Sequence, residues 1–254
     1  MPKRPGILQV LILIGRPASG KSEIIDFLLG IPDEERRLRF HLGSLDVLDD
    51  FPFLWTWFEE DLLLEARLEK PHLYTDAQGY FKKPYLWSLL VERLNLEYHK
   101  RLRNHPMPGK EISTVIEFSR GSEHGGYREA FLHLEKDLLS RAGILYVNVP
   151  FEESLRKNRK RANPDRPDSL LEHSLPDDKL LRLYREDDWA EVISGCTERV
   201  KVRDLMVPFV NFENADDVTT DKRDQLAARL ECCLTDLWRN RPDPPTLPPA
   251  DNPD

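Results

Sequence analysis

The sequence predicts an α/β protein in which a parallel β-sheet is covered on both faces by helices. Three observations carry that prediction. Short apolar runs alternate with segments of helical spacing along most of the chain. The first run, Ile7-Leu8-Gln9-Val10-Leu11-Ile12-Leu13-Ile14, leads into Gly15-Arg16-Pro17-Ala18-Ser19-Gly20-Lys21-Ser22, a complete G-x-x-x-x-G-K-[ST] pattern. Glu23 to Leu29 then leaves that pattern with helical periodicity, closed by Gly30 and Pro32.

The remaining elements follow in order. Leu38-Arg39-Phe40-His41-Leu42 alternates like a short second strand. Trp55, Phe58, Leu62 and Ala66 fall at helical intervals, as do Leu86, Leu89, Leu90 and Leu94, and Leu73 to Phe81 between them reads as a small hairpin. A third strand is predicted at Thr114–Phe118, after a turn-rich segment holding Pro106, Pro108 and Gly109. A fourth covers Ile144–Val149, stopped by Pro150 and followed by a basic helix, and a fifth covers Pro208–Phe212. The last helix runs from Asp221 to Arg239. Residues 1–240 thus read as one domain, with an aromatic-rich insertion at 53–110 and a lid region at 151–175. The tail at 241–254 is mostly proline, aspartate and small residues; it cannot bury a core and is expected to be disordered. No internal repeat is present.

Composition narrows the functional classes. The chain has 254 residues, enough for one sizeable core. Its formal net charge of −8 supplies no global field toward nucleic acid or an anionic membrane surface. Cys196, Cys232 and Cys233 are odd in number and lack metal-ligand spacing, so reduced thiols and a cytoplasmic location are expected. Lys3-Arg4 followed by an apolar run superficially resembles a signal peptide. Arg16 follows at once, however, and the apolar run is needed as the strand feeding the loop. No other stretch approaches the length of a membrane span, so a soluble protein is expected.

The glycine-rich pattern implies a polyphosphate cradle. Gly15 and Gly20 let the backbone turn without a Cβ in the way. The N–H groups of Ala18, Ser19, Gly20, Lys21 and Ser22 can converge on phosphate oxygens at a helix N-terminus, and Arg16 lies within the same loop. Lys21 is placed to reach β- and γ-phosphates, and the Ser22 hydroxyl to ligate Mg²⁺.

Other residues must decide what happens to the phosphate. Asp46, Asp49 and Asp50 lie just beyond the expected second strand, where side chains enter the crevice of a parallel sheet. Asp49 is the first candidate to orient an acceptor hydroxyl. Capping of the next helix is the competing role for any of the three. Glu117 comes late in an apolar strand, where an unpaired carboxylate is costly, so it is a candidate for Mg²⁺ or acceptor contact, against a simple ion pair with Arg120. Arg120 itself is a candidate for an acceptor's polar head. Gly121 to Gly126 reads as a flexible substrate loop in which His124 is expected to be solvated. Arg156, Arg159 and Arg161 lie on a basic helix, with Arg166 in the loop beyond it; a solvated face is the competing reading for this charge run. As lid arginines they would neutralise a phosphoryl group in transfer. Trp55, Trp57, Tyr80, Tyr85 and Trp87 are candidates to stack on a planar acceptor, or ordinary core.

The loop resembles the G-x-P-x-S-G-K-[ST] variant found in nucleoside, nucleotide and other small-molecule kinases of the P-loop superfamily. Glu117-Phe118-Ser119-Arg120 is similar to the acidic-to-arginine segment of adenylate and deoxynucleoside kinases, and Leu48-Asp49-Asp50-Phe51 to the Asp-Asp-Phe element of uridine kinases. Leu145 to Pro150 with Arg156 and Arg159-Lys160-Arg161 resembles the fourth strand and lid helix of thymidylate-type kinases. These resemblances span most of residues 7–213. They imply a three-layer P-loop NTPase fold with a five-stranded parallel sheet in the order 2-3-1-4-5. They also imply γ-phosphoryl transfer from ATP with Mg²⁺ to the hydroxyl or phosphate of a small-molecule acceptor, nucleoside- or nucleotide-like, while the net charge and the lack of a span make a nucleic-acid or membrane partner unexpected. Residues 53–110 match no named family and are expected to form the acceptor side. Two other classes compete: a P-loop ATPase or polynucleotide-end kinase, and a GTPase switch. The switch draws on Asp76-Ala77-Gln78-Gly79, which fits D-x-x-G, but no N-K-x-D segment follows.

Overall fold

The computed structural model describes residues 6–104, 111–161 and 175–241, the last residue of the middle segment as backbone only. Six strands form one sheet: β1 (Val10–Gly15), β2 (Ser44–Asp49), β3 (Ile112–Phe118), β4 (Ala142–Asn148), β5 (Arg199–Val202) and β6 (Leu205–Glu213), in the spatial order β2-β3-β1-β4-β6-β5. The helices are α1 (Lys21–Leu29), α2 (Asp33–Phe40), α3 (Phe51–Leu68), α4 (Tyr85–Asn104), α5 (Gly126–His133), α6 (Lys136–Leu139), α7 (Phe151–Arg161), α8 (Asp177–Tyr184), α9 (Trp189–Val192), α10 (Val218–Asp221) and α11 (Arg223–Asn240).

Alternation along β1 builds the three layers. Val10, Ile12 and Ile14 point to one face and pack with Val91, Leu94, Tyr127, Phe131 and Trp189. Leu11 and Leu13 point to the other and pack with Ile24, Leu28, Leu226, Leu230 and Leu234. Each such side chain buried fully contributes roughly 1.5–3 kcal/mol. Because β1 is central and buried on both faces, the loop that follows it starts from a rigid base.

Two sequence expectations are corrected. The second strand is not Leu38–Leu42, which belongs mostly to α2. Pro32 sets the entry of that helix, Asp33, Glu34 and Glu35 occupy its first turn, and Arg37 and Arg39 its last, the charge order a helix dipole favours. Arg36 secures it, its buried guanidinium donating to the carbonyls of Leu28, Ile31 and Gly43 at 2.8–2.9 Å. His41 then reverses the chain with φ of 53°, and the strand begins at Ser44. The sheet also has six strands, not five. The expected order 2-3-1-4-5 is present in parallel pairing, with β6 in the fifth place, but β5 adds to its outer edge in antiparallel register. Arg199 to Val202 is only four residues long and alternates exposed and buried positions, a weak signal for an edge strand.

The hairpin is present, with an antiparallel bridge between Thr75 and Phe81. Asp76-Ala77-Gln78-Gly79 forms its turn, where the Asp76 carboxylate accepts from the N–H groups of Gln78 and Tyr80. The D-x-x-G match is therefore turn chemistry. Among the described residues no helix is long and apolar enough to cross a membrane.

Candidate active site

The loop between β1 and α1 has the backbone its sequence requires. Gly15 has φ of 153°, Gly20 has φ of 110°, and Ala18 is held at φ of 54°. A Cβ on Gly15 would meet the Val147 carbonyl at 2.7 Å, and one on Gly20 would meet the Asn214 amide nitrogen at 2.6 Å. Any side chain at either position therefore distorts the cradle. The Lys21 ammonium donates to the carbonyls of Gly15 (3.3 Å) and Arg16 (2.9 Å) and to the Ser119 hydroxyl (2.9 Å), and lies 3.8 Å from Glu117. Beneath the loop the buried Ser19 hydroxyl has no partner among the described residues. Asn214 braces the same turn by donating to the Ser19 carbonyl at 2.7 Å.

The three candidate aspartates separate by partner. Asp46 pairs with Arg101 away from the cavity. Asp50 is buried against Arg120 at 2.6 Å; burial pushes its carboxyl upward and the guanidinium opposes that push. Asp49 ends β2 directly beside Glu117 on β3, and its side chain accepts from the Phe51 N–H at 2.9 Å. Burial, and then the neighbouring Glu117 and Asp50 charges, push the Asp49 carboxyl up to about 7. Parallel pairing of two strand ends thus places two carboxylates and Lys21 together.

These groups face a cavity of about 830 Å³. Its lining includes Ala18, Lys21, Ser22, Asp49, Glu117 and Arg120. Of the five candidate stacking rings, Trp55, Tyr80 and Trp87 line it. Trp57 instead stacks on Tyr74 at 5.1 Å, and Tyr85 is exposed. The insertion, expected on the acceptor side, reaches this cavity through α3, the hairpin and the start of α4.

Asp61 fixes that arrangement. Its buried carboxylate accepts from the N–H groups of Leu73, Tyr74 and Thr75 and from the Thr75 hydroxyl, at 2.5–3.2 Å. Asp61→Ala strands these donors, each costing about 1–3 kcal/mol where it stays buried. The expected result is faster amide hydrogen exchange confined to residues 70–83, with exchange in the loop between β1 and α1 unchanged.

The arginines are distributed differently from expectation. The Arg16 side chain turns away from the cradle, donating to the carbonyls of Tyr184, Val149 and Arg185 and pairing with Asp187 at 2.9 Å. Arg120 lines the cavity but is committed to Asp50, not to Glu117. Arg156 pairs with Glu153 and Asp217, and Arg159 with Asp177; both are exposed and neither lines the cavity. The Arg161 side chain and Arg166 lie outside the described residues, as does the centre of the lid region.

Strand order, the loop after β1 and the two helical layers decide the architecture. The chain has the P-loop NTPase fold. No family model matches its sequence, and a search of curated proteins found no match. Among solved structures it is similar to TT1252 from Thermus thermophilus, at 17% identity and TM-score 0.43, over 88% of this chain and 96% of that one. It is also similar to shikimate kinase from Acinetobacter baumannii in complex with shikimate, at 15% identity and TM-score 0.40, over 90% and 94%. A sugar kinase from Janibacter is similar at 14% identity and TM-score 0.38, over 91% and 96%.

Around this P-loop, several lining residues escaped the sequence reading. Lys179 and Arg182 on α8 reach the cavity rim over the Tyr80 ring, at 5.3 and 4.1 Å from its centroid. Their i, i+3 spacing on a short amphipathic helix was the available signal. His124, expected to be solvated, is buried. The stretch expected as a flexible loop forms a 3-10 turn at Ser122–His124 and then enters α5, with Asp188 accepting from the N–H groups of Tyr127 and Arg128. His124 stacks on Trp87 with centroids 3.7 Å apart, and burial, then the Arg120 charge, hold its imidazole down to about 3, so it is neutral.

Proposed function

We propose that this protein is an ATP- and Mg²⁺-dependent kinase that transfers a γ-phosphoryl group to a small-molecule acceptor. One observation carries the reading: Lys21 of the P-loop and the neighbouring carboxylates Asp49 and Glu117 open onto one cavity whose far side is built from the aromatic insertion. An NTPase needs only the first part. The second supplies a place for an acceptor beside the transferred group.

The roles follow from the chemistry of each group. The loop amides and Lys21 hold the phosphates and stabilise charge developing on them. Asp49 accepts the acceptor's proton, its raised carboxyl matching a base that works near neutrality. Among the described residues no cluster of three or more acidic, histidine or cysteine side chains is arranged to hold a metal alone. The Ser22 hydroxyl and the Glu117 carboxylate are hard oxygen donors, and Mg²⁺ commonly takes one or two such ligands and completes its shell with water and substrate phosphates. When bound there, Mg²⁺ supplies charge neutralisation of the phosphates. Arg156 and Arg159 act, on this reading, when the lid helix closes and exchanges their carboxylate partners for phosphate, with Arg161 of the same helix as the third candidate.

The test is calorimetric titration of the full chain with ATP and GTP in Mg²⁺, joined to transfer of labelled γ-phosphate to a panel of nucleosides, sugars and oligonucleotide ends. ATP binding and one labelled small product are expected. ADP formation without labelled product under every acceptor would identify an ATPase, and preference for GTP would favour the switch. Glu117→Gln is expected to lower Mg²⁺-dependent turnover about 10²-fold with nucleotide affinity nearly unchanged; equal losses in both would make Glu117 structural.

A further inference from the structure

We propose that Arg16 is a positioning residue that fastens α8 to the phosphate loop, so that the loop sets where α8 and the hairpin tip stand over the acceptor side of the cavity. The fastening itself needs no ligand; its consequence for transfer rests on the kinase reading above.

Arg16 faces two ways. Its carbonyl lies inside the turn, accepting from the Ser19 N–H at 3.3 Å and from the Lys21 ammonium at 2.9 Å. Its side chain, only 15% exposed, turns away from the cradle and spans three segments. Nη1 donates to the Val149 carbonyl just past β4, at 3.1 Å. Nε and Nη2 donate to the carbonyls of Tyr184 and Arg185, both at 3.2 Å, and Nη2 pairs with Asp187 at 2.9 Å. The last carbonyls of a helix have no partner within it and carry the negative end of its dipole, so a guanidinium suits the end of α8. Asp187 is held in turn, accepting from the Tyr146 hydroxyl at 3.0 Å and the Trp189 N–H at 3.1 Å. A planar fork reaches all four acceptors at once, which a single ammonium on a flexible stem does not.

The body of α8 continues the connection to the far wall. Gly121, at the exit from β3, lies so close that a Cβ there would overlap the Leu183 carbonyl, and the Ser122 N–H donates to the Glu186 carbonyl at 2.9 Å. Lys179 donates to the Gly79 carbonyl at 3.2 Å, and Lys179 and Arg182 both sit over the Tyr80 ring. Arg182 also pairs with Glu123 at 3.0 Å. Contacts thus run without a break from the Lys21 ammonium through Arg16 and α8 to the hairpin tip. Lys21, Tyr80, Lys179 and Arg182 all line the same cavity. A shift of the loop when phosphate enters it therefore moves α8 through Arg16. Such placement matters because a misplacement of about 1 Å can cost about 10²-fold in rate.

The experiment is hydrogen exchange read by mass spectrometry on the full chain, alone and with ATP and Mg²⁺. It compares the parent with Arg16→Lys, Arg16→Ala and Asp187→Asn. Without ligand, residues 177–186 are expected to exchange about tenfold faster in Arg16→Lys than in the parent. A smaller change is expected in Asp187→Asn, whose amide oxygen still accepts. With ATP, exchange in residues 15–22 is expected to slow in parent and variants alike, whereas residues 177–186 and 76–82 slow only where Arg16 and Asp187 remain able to pair. Millimolar methylguanidinium is expected to restore protection of α8 in Arg16→Ala. For the acceptor that the parent labels, Arg16→Lys is expected to raise its KM about tenfold with the KM for ATP nearly unchanged; a general structural defect would move both. Parent-like exchange of α8 in ligand-free Arg16→Lys, or an α8 response to ATP that survives in that variant, would overturn the proposal. So would a parent whose loop responds to ATP while α8 does not. If both Arg16 variants fail to fold, Asp187→Asn decides: faster exchange in α8 supports the fastening and parent-like exchange sinks it. Absence of any ATP response in the parent's loop overturns the kinase reading instead, and the ligand-free comparison still judges Arg16.

Discussion

Lys21→Ala is expected to lower phosphoryl transfer about 10³-fold, with circular dichroism and melting temperature close to those of the parent chain. The Lys21 side chain is only 5% exposed, and its ammonium gathers the Gly15 and Arg16 carbonyls, the Ser119 hydroxyl and Glu117 around one point. A charge so preorganised stabilises developing charge without rearranging during the reaction. Removing it leaves acceptor groups that water entering the cavity can reach, so the fold tolerates the change. Lys21→Met keeps much of the apolar stem and guards against a packing artefact. Both variants lose a cation that pulls the Asp49 carboxyl down, so any remaining activity should rise at a higher pH than in the parent. Transfer of labelled phosphate across a pH series checks both points. Activity retained by either variant would remove the loop from the mechanism.

That lysine was legible in the sequence because its chemistry is contiguous: strand, loop and helix lie within some twenty residues, and Gly15 and Gly20 declare the backbone they need. The central strands were legible for a related reason, since runs buried on both faces carry an uninterrupted apolar signal. Legibility fell at the edges. Leu38 to Leu42 alternates like a strand, yet Phe40 and Leu42 are buried from a helix end and the reversal after it, while Leu38 is exposed. The cavity was the least legible part, because its wall comes from separate stretches around residues 50, 80, 120 and 180 that only tertiary folding brings together. Spacing gathered Asp46, Asp49 and Asp50 as one set; the guanidinium groups of Arg101 and Arg120, distant in sequence, sort two of them into ion pairs. In the same way Glu153, Asp177 and Asp217 claim the arginines that composition alone presented as a cluster on α7.

Asp49→Asn separates catalysis from stability because its two effects have opposite sign. On the proposed reading Asp49 is the general base and must be ionised, and burial with Glu117 and Asp50 beside it holds the group up to about 7 in the free protein. The kcat/KM of the parent should therefore climb roughly tenfold per pH unit below that value and level off above it. Asparagine keeps the shape and can still accept from the Phe51 N–H, but it cannot take a proton. A loss of about 10²- to 10⁴-fold is expected, together with disappearance of the limb near pH 7. Stability runs the other way. A carboxyl whose folded value lies above its unfolded value binds protons more tightly when folded, so the parent loses stability as pH rises from about 4 through 7. The variant is spared that loss, and urea unfolding should show it gaining a few kcal/mol relative to the parent across this window. If Asp49→Asn keeps the pH limb and most of the activity, Glu117 is the base, and the same pair of measurements on Glu117→Gln will show the limb vanish there instead.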